Sequence, residues 1–402
     1  LYLFEMPGEK DEKDETCGNP DVVTKYRLAG DIANAALKLV VEKTKVGAKI
    51  VDLCEAGDKY IEEQCAKVYK DKKIGKGLAF PTCVSPNPVV GHFSPMADDK
   101  TEVKAGDMLK IDLGCQIDGY AAVTATTVIV AAEGFAKNIT GRQADVLMAA
   151  HLAVEVSSRL VKAGAKGREI AEAINKVAAA FDVSPVLGVC SHNVSHNVLD
   201  GEKMIIPKYE DGQKPEDCEV ELNEAFIIDI VMSTGEGKPK EVSADRTTVF
   251  VRARDTTYAL KMKASRFVFS QIQEKHPFFP FTLRNFATSE DAAKYKLGIK
   301  ECLEHGILTP YPVLEEKKDH YVAHLKFTTL IMPNGPLKIT TPNLDVGEIK
   351  SDKKLTDEAL LKVLATSVGK KKKKANKKKK AGTGGAEAAA AGGDAEEEDG
   401  DD

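Results

Sequence analysis

One stretch decides the fold of this chain: Met108-Leu109-Lys110-Ile111-Asp112-Leu113-Gly114-Cys115, then a turn at Asp118-Gly119, then a β-branched run over residues 120–130. An Asp-Gly pair between two such runs predicts a β-hairpin. If the turn contains two residues, Asp112 lies opposite Ala125 and diagonal to Val123. The strand period of two then places these three side chains on one face. A carboxylate at position 123 could share a metal ion with Asp112, but a valine cannot.

Length and composition indicate an ordinary globular protein with two packed halves or domains. The chain has 402 residues, of which 43% are hydrophobic and 30% charged, with a formal net charge of -5. It has no apolar run long enough to cross a bilayer and no basic-then-apolar secretory signal, so we expect an intracellular protein without membrane insertion. The eight cysteines include no Cys-x-x-Cys pair, as expected of reduced thiols.

An internal repeat relates the two halves. Residues 47–56 (GAKIVDLCEA) match residues 164–173 (GAKGREIAEA) without a gap, 117 positions later. The same offset moves Asp112 onto Asp229, which also lies inside an apolar strand run. Apolar periodicity predicts helices over residues 22–41, 51–69, 144–161 and 169–181. A duplicated helix-helix-sheet unit follows, and packing about a pseudo-two-fold axis would bring Asp112 and Asp229 together in a central cleft.

Changes in composition divide the rest of the chain. Residues 20–350 form the main domain, and residues 252–306 within it are basic and aromatic, which predicts an inserted helical subdomain. We expect a flexible N-terminal segment at 1–19, a C-terminal helix within 351–369 and a disordered tail at 370–402. The tail ends in acidic residues after a basic cluster: Lys370, Lys371, Lys372, Lys373, Lys374, Lys377, Lys378, Lys379 and Lys380.

Three polar residues are the first candidates for a site. Asp112 and Asp229 are carboxylates inside apolar strands, and each must be paired with a cation or bound to a metal. Either partner is compatible with the strand pattern. His192 could be a metal ligand, although an isolated histidine more often has a structural role. Its i, i+4 partner His196 does not make a zincin motif, because Asn193 stands where the glutamate is required.

These segments, together with Val90-Gly91-His92-Phe93, resemble the type-two methionine aminopeptidases over residues 20–350. The resemblance implies an α+β pita-bread fold, with duplicated helix-sheet halves around a dinuclear metal centre. It assigns Asp112 to the first metal carboxylate, His192 to the metal histidine and Asp229 to a position that normally holds a ligating Glu. His92 matches the substrate-contacting histidine of the cleft.

Three departures from that family are specific. Val123 replaces the second ligand Asp, Lys326 replaces the bridging Glu, and Asp200 replaces a second cleft histidine. An ammonium about 4 Å from a divalent ion would be repelled by roughly 8 kcal/mol at an effective dielectric near 20. We therefore expect Lys326 to pair with Asp112 or Asp229, and we expect no metal, no cofactor and no peptidase activity.

Two other functions are compatible with the same residues. One is a mononuclear metal-dependent methionine aminopeptidase that uses Asp112, His192 and Asp229. The other is a peptide-binding adaptor that uses the cleft around His92. Protein partners could also bind through the tail, and a monomer is expected.

Other segments are similar to the proliferation-associated, ErbB-receptor-binding proteins, non-peptidase relatives of these enzymes. They include Asp200-Gly201-Glu202-Lys203 and the residue runs 260–266, 280–284 and 332–336, besides the insert and the lysine-rich tail. This similarity implies binding to ribosomal RNA and the large ribosomal subunit near the tunnel exit, with roles in ribosome biogenesis, translation and growth regulation. It also implies residence in cytoplasm, nucleus and nucleolus. Residues 361–365 read Leu-Lys-Val-Leu-Ala rather than Leu-x-x-Leu-Leu, which puts nuclear-receptor-type partners in doubt.

Basic residues of the insert are suited to RNA phosphates. Lys261, Lys263 and Arg266 are predicted to form a compact patch, and Arg252 and Arg254 precede it. The alternative is a solvated face of an amphipathic helix whose buried stripe is Leu260, Ala264, Phe267 and Ile272. The lysine cluster of the tail could act as a nuclear-localisation signal or as an unspecific RNA tether. The alternative is a solvated tail without a partner.

Overall fold

The computed structural model describes residues 14–210, 212–213, 216–286 and 292–367. Most of the predicted N-terminal segment and the whole of the predicted tail, including the lysines at 370–380, lie outside these residues. The helices are α1 Pro20–Lys43, α2 Ile50–Lys67, α3 Gly141–Leu160, α4 Gly167–Ala180, α5 Lys263–Lys275, α6 Ala292–Glu304 and α7 Glu358–Ala365. The strands are β1 Lys76–Pro86, β2 Met108–Ile117, β3 Tyr120–Ile129, β4 Ser184–Pro185, β5 Ser191–Val194, β6 Met204–Ile205, β7 Ala225–Ser233, β8 Lys240–Glu241, β9 Val249–Arg252, β10 Phe281–Thr282, β11 Leu308–Tyr311, β12 Leu314–Glu315, β13 Val322–Met332 and β14 Gly335–Lys338.

A single antiparallel sheet runs through both halves, in the strand order β1-β2-β3-β13-β7-β5-β6. The late strand β13 lies between β3 of the first half and β7 of the second, so it joins them. One face of the sheet packs against helices. Leu109 and Ile111 of β2 belong to the core with α1 and α2, and Phe226 and Ile228 of β7 belong to the core with α3 and α4. We call the opposite face the polar face, because it carries Asp112, Lys326 and Asp229 among apolar residues such as Ile227 and Val231.

The β2–β3 hairpin has the predicted register. Asp118 and Gly119 form a two-residue turn with φ values of 54° and 79°, the left-handed pair that favours a tight hairpin. Asp112 therefore pairs with Ala125, and Gly114 pairs with Val123. A Cβ atom at position 114 would lie 2.5 Å from Val123 Cγ1, so the absence of a side chain at Gly114 makes room for the valine.

The duplication predicted from residues 47–56 and 164–173 is present in the structure. The bridge Lys49↔Glu102 of the first half recurs as Lys166↔Glu219, with both partners displaced by 117 positions. Strands β2 and β7 begin at residues 108 and 225, which differ by the same offset. All four predicted helices of the repeat exist, and each boundary lies within three residues of the prediction.

The insert is helical, as predicted, and it rests on a small sheet of β10, β9 and β11. Its core contains Val268 and Ile272 of α5. The predicted buried stripe is wrong at Phe267, which is 39% exposed. Because α5 begins only at Lys263, Leu260 lies outside the helix and is not part of its apolar face. The buried face of α5 instead contains Val268 and Ile272, which lie one turn apart.

A buried ion pair attaches the insert to the first half. Arg284 Nη2 lies 2.6 Å from Asp58 Oδ2, and Arg284 Nη1 donates to Ser94 Oγ and to the carbonyl of Pro95. The Arg284 and Asp58 side chains are 5% and 8% exposed, so removal of either would leave an uncompensated buried charge. Within the described segments, no helix is both long and apolar enough to span a membrane.

Candidate functional site

Four residues form a row across the polar face of the sheet. Asp112 pairs with Ala125, Ala125 with Lys326, and Lys326 with Asp229, on strands β2, β3, β13 and β7. Lys326 Nζ lies 2.7 Å from Asp112 Oδ2 and 3.0 Å from Asp229 Oδ2. Ala125 stands between Asp112 and Lys326 with only a methyl group. The expected ion pair is therefore confirmed, and Lys326 binds both carboxylates.

The row is a buried charge network. Burial alone would raise the pKa of Asp229, but Lys326 and His324 outweigh it and hold this pKa well below its usual range. Burial opposes the charge on Lys326 as well, yet Asp112 and Asp229 raise its pKa above the ordinary value. His324 Nε2 lies 2.7 Å from Asp229 Oδ1. His324 was not predicted as a site residue, although its position two residues before Lys326 on one strand places it on the same face.

The residues present do not fit the dinuclear metal centre that the resemblance implies. The Lys326 ammonium lies within hydrogen-bonding distance of both carboxylates that would have to bind the cations. Val123 is 3% exposed and contributes methyl groups where a second carboxylate is required. Across the described part of the chain, no group of three or more His, Cys, Asp or Glu side chains is placed to hold a metal ion.

A cleft of about 350 Å³ opens above the row. Six of the seven predicted cleft residues line it: His92, Val123, His192, Asp200, Asp229 and Lys326. Asp112 is 2% exposed and is not part of the lining. The structure thus brings the predicted residues together, with Asp112 below the others.

Two aromatic residues of the cleft were missed by the sequence analysis. Tyr311 donates from its hydroxyl to Asp200 Oδ2 at 2.5 Å, and its ring lies 5.3 Å from those of His92 and Phe80. Burial and the nearby Lys326 lower the pKa of His92, which favours a neutral imidazole at pH 7. His192 Nε2 lies 3.5 Å from Cys190 Sγ. Tyr311 follows the insert in sequence, and no local spacing relates it to Asp200.

A second polar region lies on the insert. We call the exposed residues Arg254, Lys261, Lys263 and Arg266 the insert basic surface. Arg266 Nη1 donates to the carbonyls of Leu260 and Lys261, so its guanidinium also stabilises the backbone before α5.

The remaining side chains near this surface have different environments. The carboxylate of Glu301 accepts the backbone N–H groups of Lys261 and Met262. The Lys261 side chain itself is exposed to solvent. Arg252 is half-buried, with its guanidinium 5.6 Å from the centre of the Phe269 ring. It is therefore less available to a partner than the insert basic surface.

Comparisons with known proteins show which family the chain is similar to. The sequence profile of metallopeptidase family M24 matches residues 24–247. The chain is 48% identical to ERBB-3 binding protein 1 of Solanum tuberosum, over 88% of this chain and 89% of that protein. It is 44% identical to proliferation-associated protein A of Dictyostelium discoideum, over 88% and 90%. It is 38% identical to the curved DNA-binding protein of Schizosaccharomyces pombe, over 88% and 92%.

Solved structures show the same fold. A thermophilic Arx1 is 34% identical and superimposes with a TM-score of 0.81, covering 88% of this chain and 100% of that one. Methionine aminopeptidase from Rickettsia prowazekii superimposes with a TM-score of 0.51 at 17% identity, over 80% and 98%. The second likeness shows the fold alone, and together they confirm the predicted pita-bread architecture.

Proposed function

Because this chain belongs to metallopeptidase family M24, in the group of the ErbB-3-binding and proliferation-associated proteins, we propose that it is a catalytically inactive aminopeptidase-like protein. In this proposal it binds RNA and the large ribosomal subunit near the tunnel exit. It acts in ribosome biogenesis, translation and growth regulation, in cytoplasm, nucleus and nucleolus.

One observation carries the loss of catalysis: the Lys326 ammonium lies between Asp112 and Asp229. A metallopeptidase needs a cation at this place to polarise the substrate carbonyl and to lower the pKa of a bound water. An ammonium does neither, and it repels a divalent ion. This disfavours the mononuclear enzyme, because Asp112 and Asp229 would be two of its three ligands.

The insert supports the RNA-binding part of the proposal. Residues 252–306 contain ten basic and six acidic residues, a net charge of +4, although the whole chain carries -5. Neither Lys261 nor Lys263 forms an ion pair with a carboxylate of the described residues, so both ammonium groups are available to phosphates. The ribosome is proposed as the partner because of the resemblance to the proliferation-associated proteins. A relative named for binding DNA supports a nucleic-acid partner.

The cleft favours a second candidate, a peptide-binding adaptor. It retains about 350 Å³ of space, with Phe80, Tyr311 and Leu199 as apolar walls. This function is compatible with the first, since the cleft and the insert basic surface use different residues.

Metal analysis and a peptidase assay test the loss of catalysis. Purified protein should contain no stoichiometric zinc, cobalt or manganese, and should release no N-terminal methionine from peptides. The matched control is the double variant Val123→Asp with Lys326→Glu, which restores the carboxylates of the active family. Stoichiometric metal with methionine release in the unaltered protein would overturn the proposal.

Ribosome co-sedimentation tests the RNA-binding part. We expect Lys261→Ala, Lys263→Ala and Arg266→Ala together to impair pelleting more than deletion of residues 370–402. The matched control replaces three exposed basic residues of α1 and α2: Arg27, Lys38 and Lys59. Binding should weaken steeply between two salt concentrations, as phosphate contacts do. Binding that is lost only with the tail would make the tail the anchor, and salt-independent binding would favour the adaptor.

A further inference from the structure

The cysteines of α2 and β2 form a close pair. Cys65 Sγ lies 3.5 Å from Cys115 Sγ, although the residues are fifty positions apart in sequence. A disulfide requires the two sulfurs to approach to about 2.05 Å. Cys65 lies in the last turn of α2, near the helix end at Lys67, so a small shift of this turn and of the side chains can close the gap.

Cys65 differs chemically from the other seven cysteines. A hydrogen bond with Cys115 lowers the pKa of the Cys65 thiol more than burial raises it, and Lys76 adds to the effect. Burial is the largest cause that raises the pKa of all the others: Cys17, Cys54, Cys83, Cys115, Cys190, Cys218 and Cys302. The thiolate is the nucleophile in thiol oxidation, so the pair contains one activated sulfur and one neutral thiol beside it.

A groove leads to the pair. The groove has a volume of about 900 Å³ and lies between the end of α2, the start of β1 and insert residues 274–285. Cys65 lines it together with Glu62, Lys76 and Gln116. Lys76 Nζ donates to the carbonyls of Val68 and Tyr69, which keeps its ammonium close to the end of α2. A small oxidant can therefore approach Cys65, whereas Cys115 is fully buried and is not among the residues that line the groove.

We propose that Cys65 and Cys115 are a redox-active thiol pair that hydrogen peroxide converts to a reversible disulfide. The Cys65 thiolate attacks one peroxide oxygen, the O–O bond breaks, and the departing hydroxide takes a proton to become water. Cys115 sulfur then attacks the sulfur of the Cys65 sulfenic acid, and the displaced hydroxide leaves as water with the Cys115 proton. Two thiols are oxidised and one peroxide is reduced to two waters.

The test is peptide mapping by mass spectrometry after treatment of the full chain with hydrogen peroxide. We expect a cross-linked Cys65–Cys115 peptide, lighter than the two thiol peptides by two hydrogen atoms and restored by dithiothreitol. It should form on the order of tenfold faster than oxidation at Cys190 or Cys218. These two cysteines are more exposed than Cys65, so their faster oxidation would mean that exposure governs reactivity and would overturn the proposal.

Two variants keep the proposal falsifiable. Cys115→Ser removes the resolving thiol, so Cys65 should accumulate as a sulfenic acid that dimedone labels. Cys65→Ser should leave Cys115 unlabelled. The control Cys218→Ser should retain the cross-link. Labelling of Cys115 in Cys65→Ser, or no labelling of Cys65 in Cys115→Ser, would contradict the assigned order of attack.

Discussion

Replacement of Lys326 by methionine tests whether charge balance holds the central sheet together. The variant keeps a long side chain, now apolar, but removes the ammonium that lies between Asp112 and Asp229. His324 remains beside Asp229, whereas Asp112 loses its ion-pair partner. The second oxygen of Asp112, Oδ1, has no hydrogen-bond partner among the described residues. Breaking a buried ion pair on one side costs about 3–5 kcal/mol. For a chain of this size the corresponding fall in Tm is roughly 5 °C.

The loss should depend on pH in a defined direction. In the unaltered protein the pKa of Asp229 is lowered, so this carboxylate contributes stability above its unfolded pKa, about 3.9, and loses it as pH falls further. Without Lys326, burial, which is the largest influence on that pKa, is opposed by His324 alone among the groups that lower it, and the pKa is expected to rise above the unfolded value. The variant then carries a penalty at pH 7 that protonation relieves. The difference in unfolding free energy should therefore shrink between pH 7 and about pH 4.

Urea-induced unfolding at several pH values measures the effect. The control is Lys110→Met, because Lys110 is also a buried lysine of the same sheet but forms no ion pair with a carboxylate in the described part of the chain. Conversion of the whole network in Asp112→Asn, Asp229→Asn and Lys326→Met should recover at least part of the loss. Equal destabilisation by Lys326→Met and Lys110→Met, or a loss that does not shrink with acidity, would refute the charge-balance argument and leave packing as the role of Lys326.

Three further predictions concern buried positions. Burial lowers the pKa of Lys110 to about 7, below its value in the unfolded chain. The free energy of unfolding should therefore rise from pH 7 to pH 9. Urea denaturation of Lys110→Met should show no such rise. Arg284→Met should lower the free energy of unfolding by about 3–5 kcal/mol, because Asp58 loses its ion-pair partner. Amide hydrogen exchange in residues 263–275 should accelerate. Unchanged exchange would mean that the ion pair does not hold the insert in place. Gly114→Ala should lower the free energy of unfolding by about 1–3 kcal/mol, because the new methyl group meets Val123. Adding Val123→Ala to this variant should recover that loss. If the effects of the two substitutions on thermal unfolding simply add, the two side chains do not clash.

Local periodicity was enough to predict the hairpin and the helices of the repeat. The turn residues Asp118 and Gly119 set the register of β2 and β3, because a two-residue turn leaves one pairing. The offset of 117 positions then related Asp229 to Asp112 without any knowledge of the tertiary structure. Lys326 could be assigned to the same cleft only through the resemblance to a known family.

Phe267 shows where local reasoning was insufficient. The pattern from Leu260 to Ile272 assumed a continuous helix, but the helix begins at Lys263, after the carboxylate of Glu301 has bound the backbone at residues 261 and 262. Glu301 belongs to α6, so the helix start depends on a contact that residues 260–272 do not contain. A shift in the start changes which residues face the core.

By itself the sequence determined the β2–β3 hairpin with its register, the helices of the repeat and the duplication, whereas the residues that replace a metal centre were identified through the resemblance to a known family. The hairpin and the helices depend on turn geometry and on periods of 2 and 3.6 residues, which act over short distances. Only the tertiary structure decided that Lys326 binds both carboxylates, that Tyr311 bonds Asp200 and that Cys65 meets Cys115. Such contacts join residues 50 to 214 positions apart. They arise because β13 inserts between β3 and β7 and because α2 packs on β2. No local spacing in the sequence encodes either packing arrangement.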